Sequence, residues 1–171
     1  MTGTPIVNNI TGGLQDHIRF EDEKTVPEWT KDAVMYEVNV RQFTPEGTFK
    51  AFAKHLPRIK ELGVDIIWFM PIHPIGEQNR KGSLGSYYSV KDYKAVNAEF
   101  GTIEDFNSLV NEIHKMDMKV IIDWVANHSA FDNVWIEDGN QDWYTLDSLG
   151  KLQPPIGTDW WDVADLNFEN Q

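Results

Sequence analysis

Two short unbroken apolar runs, Ile-Ile-Trp-Phe-Met at 66–70 and Val-Ile-Ile at 120–122, constrain this chain more than any other feature. A half-exposed strand alternates apolar with polar side chains. A run with no polar member needs cover on both faces, as a parallel sheet flanked by helices provides. The intervening segments fit that arrangement. Residues 33–42 place Val34, Tyr36, Val38 and Val40 at every second position and predict a first strand. Phe49, Phe52, Leu56, Ile59 and Leu62 recur at spacings of three and four, which predicts a helix over 48–62. Pro57 falls inside it and predicts a kink or a fresh start there, and Gly63 closes it. A second helix opens at Thr102 with Asp105 three residues on, and its apolar face is Ile103, Phe106, Leu109, Val110, Ile113 and Met116. Strand, helix, strand, helix, strand is the rhythm of βαβ units.

Outside that rhythm lie three segments. Residues 1–28 are polar, carry the charge run Glu21-Asp-Glu-Lys24 and read as an N-terminal arm or linker. Residues 71–101 form a long loop rich in Gly, Ser and Tyr. Residues 129–171 form an irregular excursion in place of another βα unit.

Charge narrows the partners. The formal net charge is −12, and residues 132–171 hold nine Asp/Glu against the single Lys151. Such a surface repels polyanions, so nucleic acid is excluded as a partner. That stretch also holds four of the seven tryptophans, Trp135, Trp143, Trp160 and Trp161. Carboxylates beside flat aromatic faces suit a neutral polyhydroxylated ligand; equally, the tryptophans could form the core of a small, strand-poor subdomain. No apolar run approaches the roughly 20 residues of a membrane span. The start, Met1-Thr-Gly-Thr-Pro-Ile-Val, lacks the pattern of a secretory signal, which points to the cytoplasm unless the chain was trimmed from an exported one. Cysteine is absent, so disulfides and thiolate chemistry play no part.

The residues with chemical potential gather where a parallel sheet keeps its chemistry, just past the C-terminal ends of the strands. The third strand leads into Asp123-Trp-Val-Ala-Asn-His128. Taken alone, Asp123 capping a turn and His128 as a satisfied surface histidine would explain this string. The long loop carries Gly85-Ser-Tyr-Tyr-Ser-Val-Lys-Asp-Tyr93 and then Phe100-Gly-Thr102, and the excursion carries Asp162-Val-Ala-Asp-Leu-Asn167. Gly76-Glu-Gln-Asn-Arg-Lys-Gly-Ser83 is not a phosphate-binding loop, since Gly must precede Lys there, and it reads as a loop shaping a cleft. His17, His55, His73 and His114 show no metal-ligand spacing.

With Gly63-Val-Asp-Ile-Ile-Trp-Phe-Met-Pro71, these strings occur in the order and at the separations of the α-amylase family of glycoside hydrolases (family 13), and over residues 30–171 the chain resembles the N-terminal part of its members. The resemblance implies an α/β fold: a partial (β/α)8 TIM barrel, its first three βα units within 29–128, with an irregular B-domain excursion over 129–171. It implies substrate-binding roles for Tyr88, which would stack on a sugar ring, and for His128, which would hydrogen-bond a sugar hydroxyl. Asp123 would support the active site, paired with an arginine from the following strand. Asn127 and Asp165 match positions that bind Ca2+ in many members; calcium takes about six to eight oxygen ligands, and an acidic turn without metal is the equal alternative. No organic cofactor is implied.

The family's nucleophile, general-acid and final Asn-His-Asp strings have no counterpart here. A retaining glycosidase needs two carboxylates flanking the bond it cleaves, and none of the twenty-seven acids falls at a matching position. The expectation is therefore a parent enzyme that cleaves α-glucosidic bonds of starch-like glucans or oligosaccharides, and an N-terminal fragment of it that is inactive and marginally folded by itself. Its natural partner would be the missing C-terminal part of the barrel. Two alternatives stay open: a non-catalytic α-glucan-binding fragment or subunit, and a transglycosylase or isomerase of the same family.

Overall fold

The computed structural model describes residues 26–170. Most of the arm expected over 1–28 lies outside the described residues. The chain divides into two units at Asp32. Of the first, the described part is a single turn of 3-10 helix at Glu28–Thr30, closed by the Thr30 N–H and hydroxyl on the Pro27 carbonyl.

The second unit is built on three parallel strands, β1 (Met35–Val38), β2 (Ile66–Phe69) and β3 (Lys119–Ile122), in that order across the sheet. Their register aligns Val38, Phe69 and Ile122, so all three C-terminal ends share one side. Four helices accompany them: α1 (Val40–Phe43), α2 (Phe49–Ala53), α3 (Leu56–Glu61) and α4 (Ile103–Lys115). Alternation along the strands sends Tyr36, Val38, Ile67, Phe69 and Val120 to one face, where they join Phe49, Phe52, Leu56, Ile59, Phe106, Leu109 and Ile113 in a continuous core. Aromatic rings meet edge to face there: Phe52 on Phe69 at 5.5 Å and Phe69 on Phe106 at 5.9 Å.

Three expectations change in detail. The first strand is shorter than 33–42, because after Asn39 the chain turns into α1, burying Val40 and packing Phe43 on Phe52 at 4.8 Å. The helix over 48–62 is two helices with a break at Lys54 and His55. Pro57 sits in the first turn of α3, where its missing N–H costs nothing, and Leu62 is exposed. Third, β3 is not buried on both faces. Ile121 and Ile122 are 41% and 37% exposed, since β3 is an edge strand among the described residues while β2 has a neighbour on each side.

The start of α4 follows the sequence reading closely. Asp105 N–H donates to Thr102 Oγ1 at 3.2 Å and Thr102 N–H to Asp105 Oδ2 at 3.3 Å, a reciprocal capping box. Beyond β3 the excursion has its own small frame. Strand β4 (His128–Ala130) pairs antiparallel with β5 (Val163–Asp165), and a short helix α5 (Val134–Glu137) lies between them. None of its four tryptophans is fully buried, so they do not form a closed core; Tyr144, 1% exposed, takes that place.

Candidate functional site

Asp123 follows directly on β3, its N–H held by the Phe69 carbonyl at 2.9 Å, so its carboxylate emerges at the C-terminal end of the sheet. Tyr88, from the loop between β2 and α4, donates its hydroxyl to Asp123 Oδ2 at 3.1 Å. Withdrawal from water, and then the accepting carboxylate, push the Tyr88 phenol above its usual pKa and keep it protonated as the donor.

His128 opens β4 and is buried at 8% exposure. The Tyr93 hydroxyl lies 2.8 Å from the carbonyls of both Val125 and His128, tying the turn that carries the histidine. Tyr93 in turn stacks on Trp135 at 4.9 Å. The Asn127 side-chain nitrogen is 3.0 Å from His128 Nδ1. An amide nitrogen only donates, so Nδ1 accepts and the neutral ring carries its proton on Nε2. Burial lowers the imidazole pKa, with the Asp162 and Asp165 charges and the backbone of Tyr88 pulling the other way. The ring is therefore a neutral N–H donor at neutral pH.

Tyr88 and His128, forty positions apart in sequence, line one cavity of about 270 Å³ together with Lys81, Ser86, Trp160, Asp162 and Val163. Trp160 stands edge-on to the His128 ring at 5.5 Å. Five of these lining residues, Val163 among them, were not offered as site residues in the sequence. Trp160 belongs to the acidic, aromatic stretch whose composition suits a sugar, and Lys81 to the loop read as shaping a cleft. Ser86 lies inside the Tyr88 string without a mark of its own, and Asp162 carried no signal separable from Asp165.

The two residues offered as metal ligands are neighbours, since the Leu166 N–H donates to the Asn127 carbonyl at 3.2 Å. Asp165 Oδ2 accepts from Thr145 Oγ1 at 2.7 Å, and the Asn127 amide nitrogen lies against His128 Nδ1. Among the described residues no group of three or more His, Cys, Asp or Glu side chains is placed to hold an ion. These two side chains are fewer than the about six to eight oxygen ligands that calcium takes.

A parallel sheet with helices on one face and polar side chains gathered at its C-terminal ends is the layout of α/β barrels. Residues 15–164 match the family model described as "Alpha amylase, catalytic domain", and the chain belongs to the α-amylase family of glycoside hydrolases. It is 34% identical over 128 residues to a probable oligo-1,6-glucosidase 3 of Bacillus subtilis, covering 68% of this chain and 22% of the relative. It is 35% identical over 131 residues to a trehalose synthase of Thermus thermophilus, covering 69% of this chain and 13% of that protein. The crystal structure of an alpha-amylase from Lactobacillus plantarum superposes with a TM-score of 0.77 at 44% identity, over 80% of this chain and 32% of that one. The chain thus spans about a quarter or less of the curated relatives it matches.

Proposed function

We propose that this chain supplies the sugar-binding wall of an α-amylase-type retaining glycoside hydrolase, acting on α-glucosidic bonds of starch-like glucans or oligosaccharides. The observation that carries this reading is the Tyr88–Asp123 hydrogen bond, which presents the Tyr88 ring beside His128 in one cavity at the C-terminal end of the sheet. An aromatic face takes the C–H side of a pyranose ring while Nε2–H of a neutral His128 donates to a hydroxyl. Asp123 acts on Tyr88, fixing where the ring lies.

The reacting carboxylates are a separate matter. Retention needs two carboxyl groups about 5–5.5 Å apart across the scissile bond. Among the described residues Asp162 is the one acid lining the cavity, and it is ion-paired to Lys81 at 2.9 Å. On this reading the three parallel strands are the opening units of a (β/α)8 barrel whose further strands bring the nucleophile and the acid. The chain alone binds sugar and cleaves nothing.

Titration of the chain with maltotriose, followed by tryptophan fluorescence, tests this. Tyr88→Ala and His128→Ala are each expected to weaken binding by about tenfold, or 1.4 kcal/mol, with no glucose released from starch by any variant. Unaltered binding in Tyr88→Ala would overturn the reading. So would starch hydrolysis by the chain that His128→Ala abolishes. Calcium is expected to bind weakly, and tight stoichiometric binding in a calorimetric titration would contradict that.

A further inference from the structure

The cavity's two walls come from segments far apart in sequence, the loop 71–101 and the excursion 129–170, and they are joined at Asp162. Lys81 Nζ lies 2.9 Å from Asp162 Oδ1 and 4.4 Å from the centre of the Trp161 ring. Ser89 Oγ donates to the Asp162 carbonyl at 2.9 Å. Asp162 is therefore fastened twice to the loop that carries Tyr88, once through its side chain and once through its backbone. Its carboxylate is 4% exposed and Lys81 is 34% exposed, so solvent screens the pair far less than a surface ion pair.

The join continues along the same two segments. Ala130 N–H donates to the Val90 carbonyl at 2.9 Å, and Val134 N–H to the Lys91 carbonyl at 3.0 Å. Glu77 N–H donates to Asp132 Oδ2 at 2.9 Å, and Asn133 Nδ2 donates to the Val90 carbonyl at 3.0 Å. Gly76 lies so close that a Cβ there would fall 2.4 Å from the Ala130 Cβ. The two segments do not merely face each other; they are also sewn together beyond the cavity lining.

We infer that the Lys81–Asp162 bridge is a strap that closes one end of the pocket, so that the site takes the end of a glucan chain and not a stretch of its interior. This rests on the reading of the cavity as a glucan site. Lys81 and Asp162 line the same cavity as Tyr88 and His128, and groups 2.9 Å apart leave no gap for a sugar ring between them. The cavity volume of about 270 Å³ lies just under the roughly 300–1,000 Å³ of sites for larger ligands and suits a single pyranose. Lys81 also has donors to spare. An ammonium carries three, Asp162 engages one, and a hydroxyl of a terminal ring can take another.

Two glucans with the same linkage separate the possibilities: linear maltotriose, which has ends, and β-cyclodextrin, which has none. Binding of each to the full 171-residue chain is measured by calorimetry for the wild type, Lys81→Met and Asp162→Asn. Far-UV circular dichroism checks the fold of each variant. The wild type is expected to prefer the linear sugar by at least about tenfold, and both variants to bring the preference within about threefold of parity. Lys81→Met keeps the stem against Trp161, and Asp162→Asn keeps the shape of the acid, so loss of fold in one leaves the other to decide. Equal binding of both glucans by the wild type overturns the strap, as does a preference unchanged in both variants. Binding of neither glucan overturns the glucan reading itself, and the strap with it.

Discussion

On the helix-covered face of the sheet, Phe52, Phe69 and Phe106 touch ring to ring, and Ile59, Ile67 and Ile113 are wholly out of water. Around the pocket the contacts are of another kind. Ser89 on the Asp162 carbonyl, Lys81 on its carboxylate, Tyr88 on Asp123 and Glu77 N–H on Asp132 hold two irregular segments together. The first region is stabilised by apolar area and close packing, which do not depend on pH. The second depends on a modest net gain per hydrogen bond, on geometry and on protonation state. Rigidity of fold and selectivity of site are thus assigned to different interactions in one compact unit.

The largest expected effect tests the apolar side. Phe69→Ala, in the centre of the aromatic contacts, is expected to destabilise the chain by about 3–5 kcal/mol in urea unfolding, because the cavity adds to the lost transfer energy. A cost below about 1 kcal/mol would mean the sheet is not the stabilising region. Next comes the sewn side. Gly76→Ala forces a methyl against Ala130 and is expected to cost about 1–3 kcal/mol while weakening maltotriose binding, since the loop must lift off β4. If it destabilised without touching binding, the wall and the pocket would be independent.

A smaller effect sharpens the contrast within the sheet itself. Ile121→Thr in half-exposed β3 is expected to change stability by no more than about 0.5 kcal/mol, although Ile67, in register one position earlier on β2, is fully buried. The smallest effect is on pH. His128 has its pKa lowered from 6.5, by burial foremost, so the unfolded chain takes up a proton at a higher pH than the folded one. Stability from this group is therefore full above pH 6.5 and declines as pH falls through the lowered folded value. His128→Gln is expected to flatten that decline in melting temperature measured across the acid range. The aromatic core should show no such slope.

The sheet and its helices were legible because periodicity reports directly on a face that must be dry. The pairing of 35–38 with 66–69 and 119–122, and the capping box at Thr102, follow from residues whose local pattern agrees with their tertiary place. Val40 misled the strand boundary, since the position is buried whether the chain continues extended or turns into α1. The apolar run at 120–122 was read as covered on both faces, but composition states only what a residue tolerates, and neighbours decide what it receives. In the site, Tyr88, Asp123 and His128 were legible because each sits in a local string. The meeting of Lys81, Trp160 and Asp162 was not, because it depends on a loop and an excursion returning to one place, which no window of sequence contains.

The Ser89–Asp162 bond has a consequence for timing. Its partners are 73 positions apart in the chain, whereas Met35 of β1 pairs with Ile66 of β2. Closing a loop costs entropy that grows with the logarithm of its length, and contacts of long sequence separation slow folding. During refolding the sheet's aromatic core is therefore expected to assemble before the Ser89–Asp162 contact. Hydrogen exchange of the native chain is expected to release the amides of 128–130 and 163–165 before those of 66–69. The pocket is then the part of the molecule expected to open and reclose while the sheet stands.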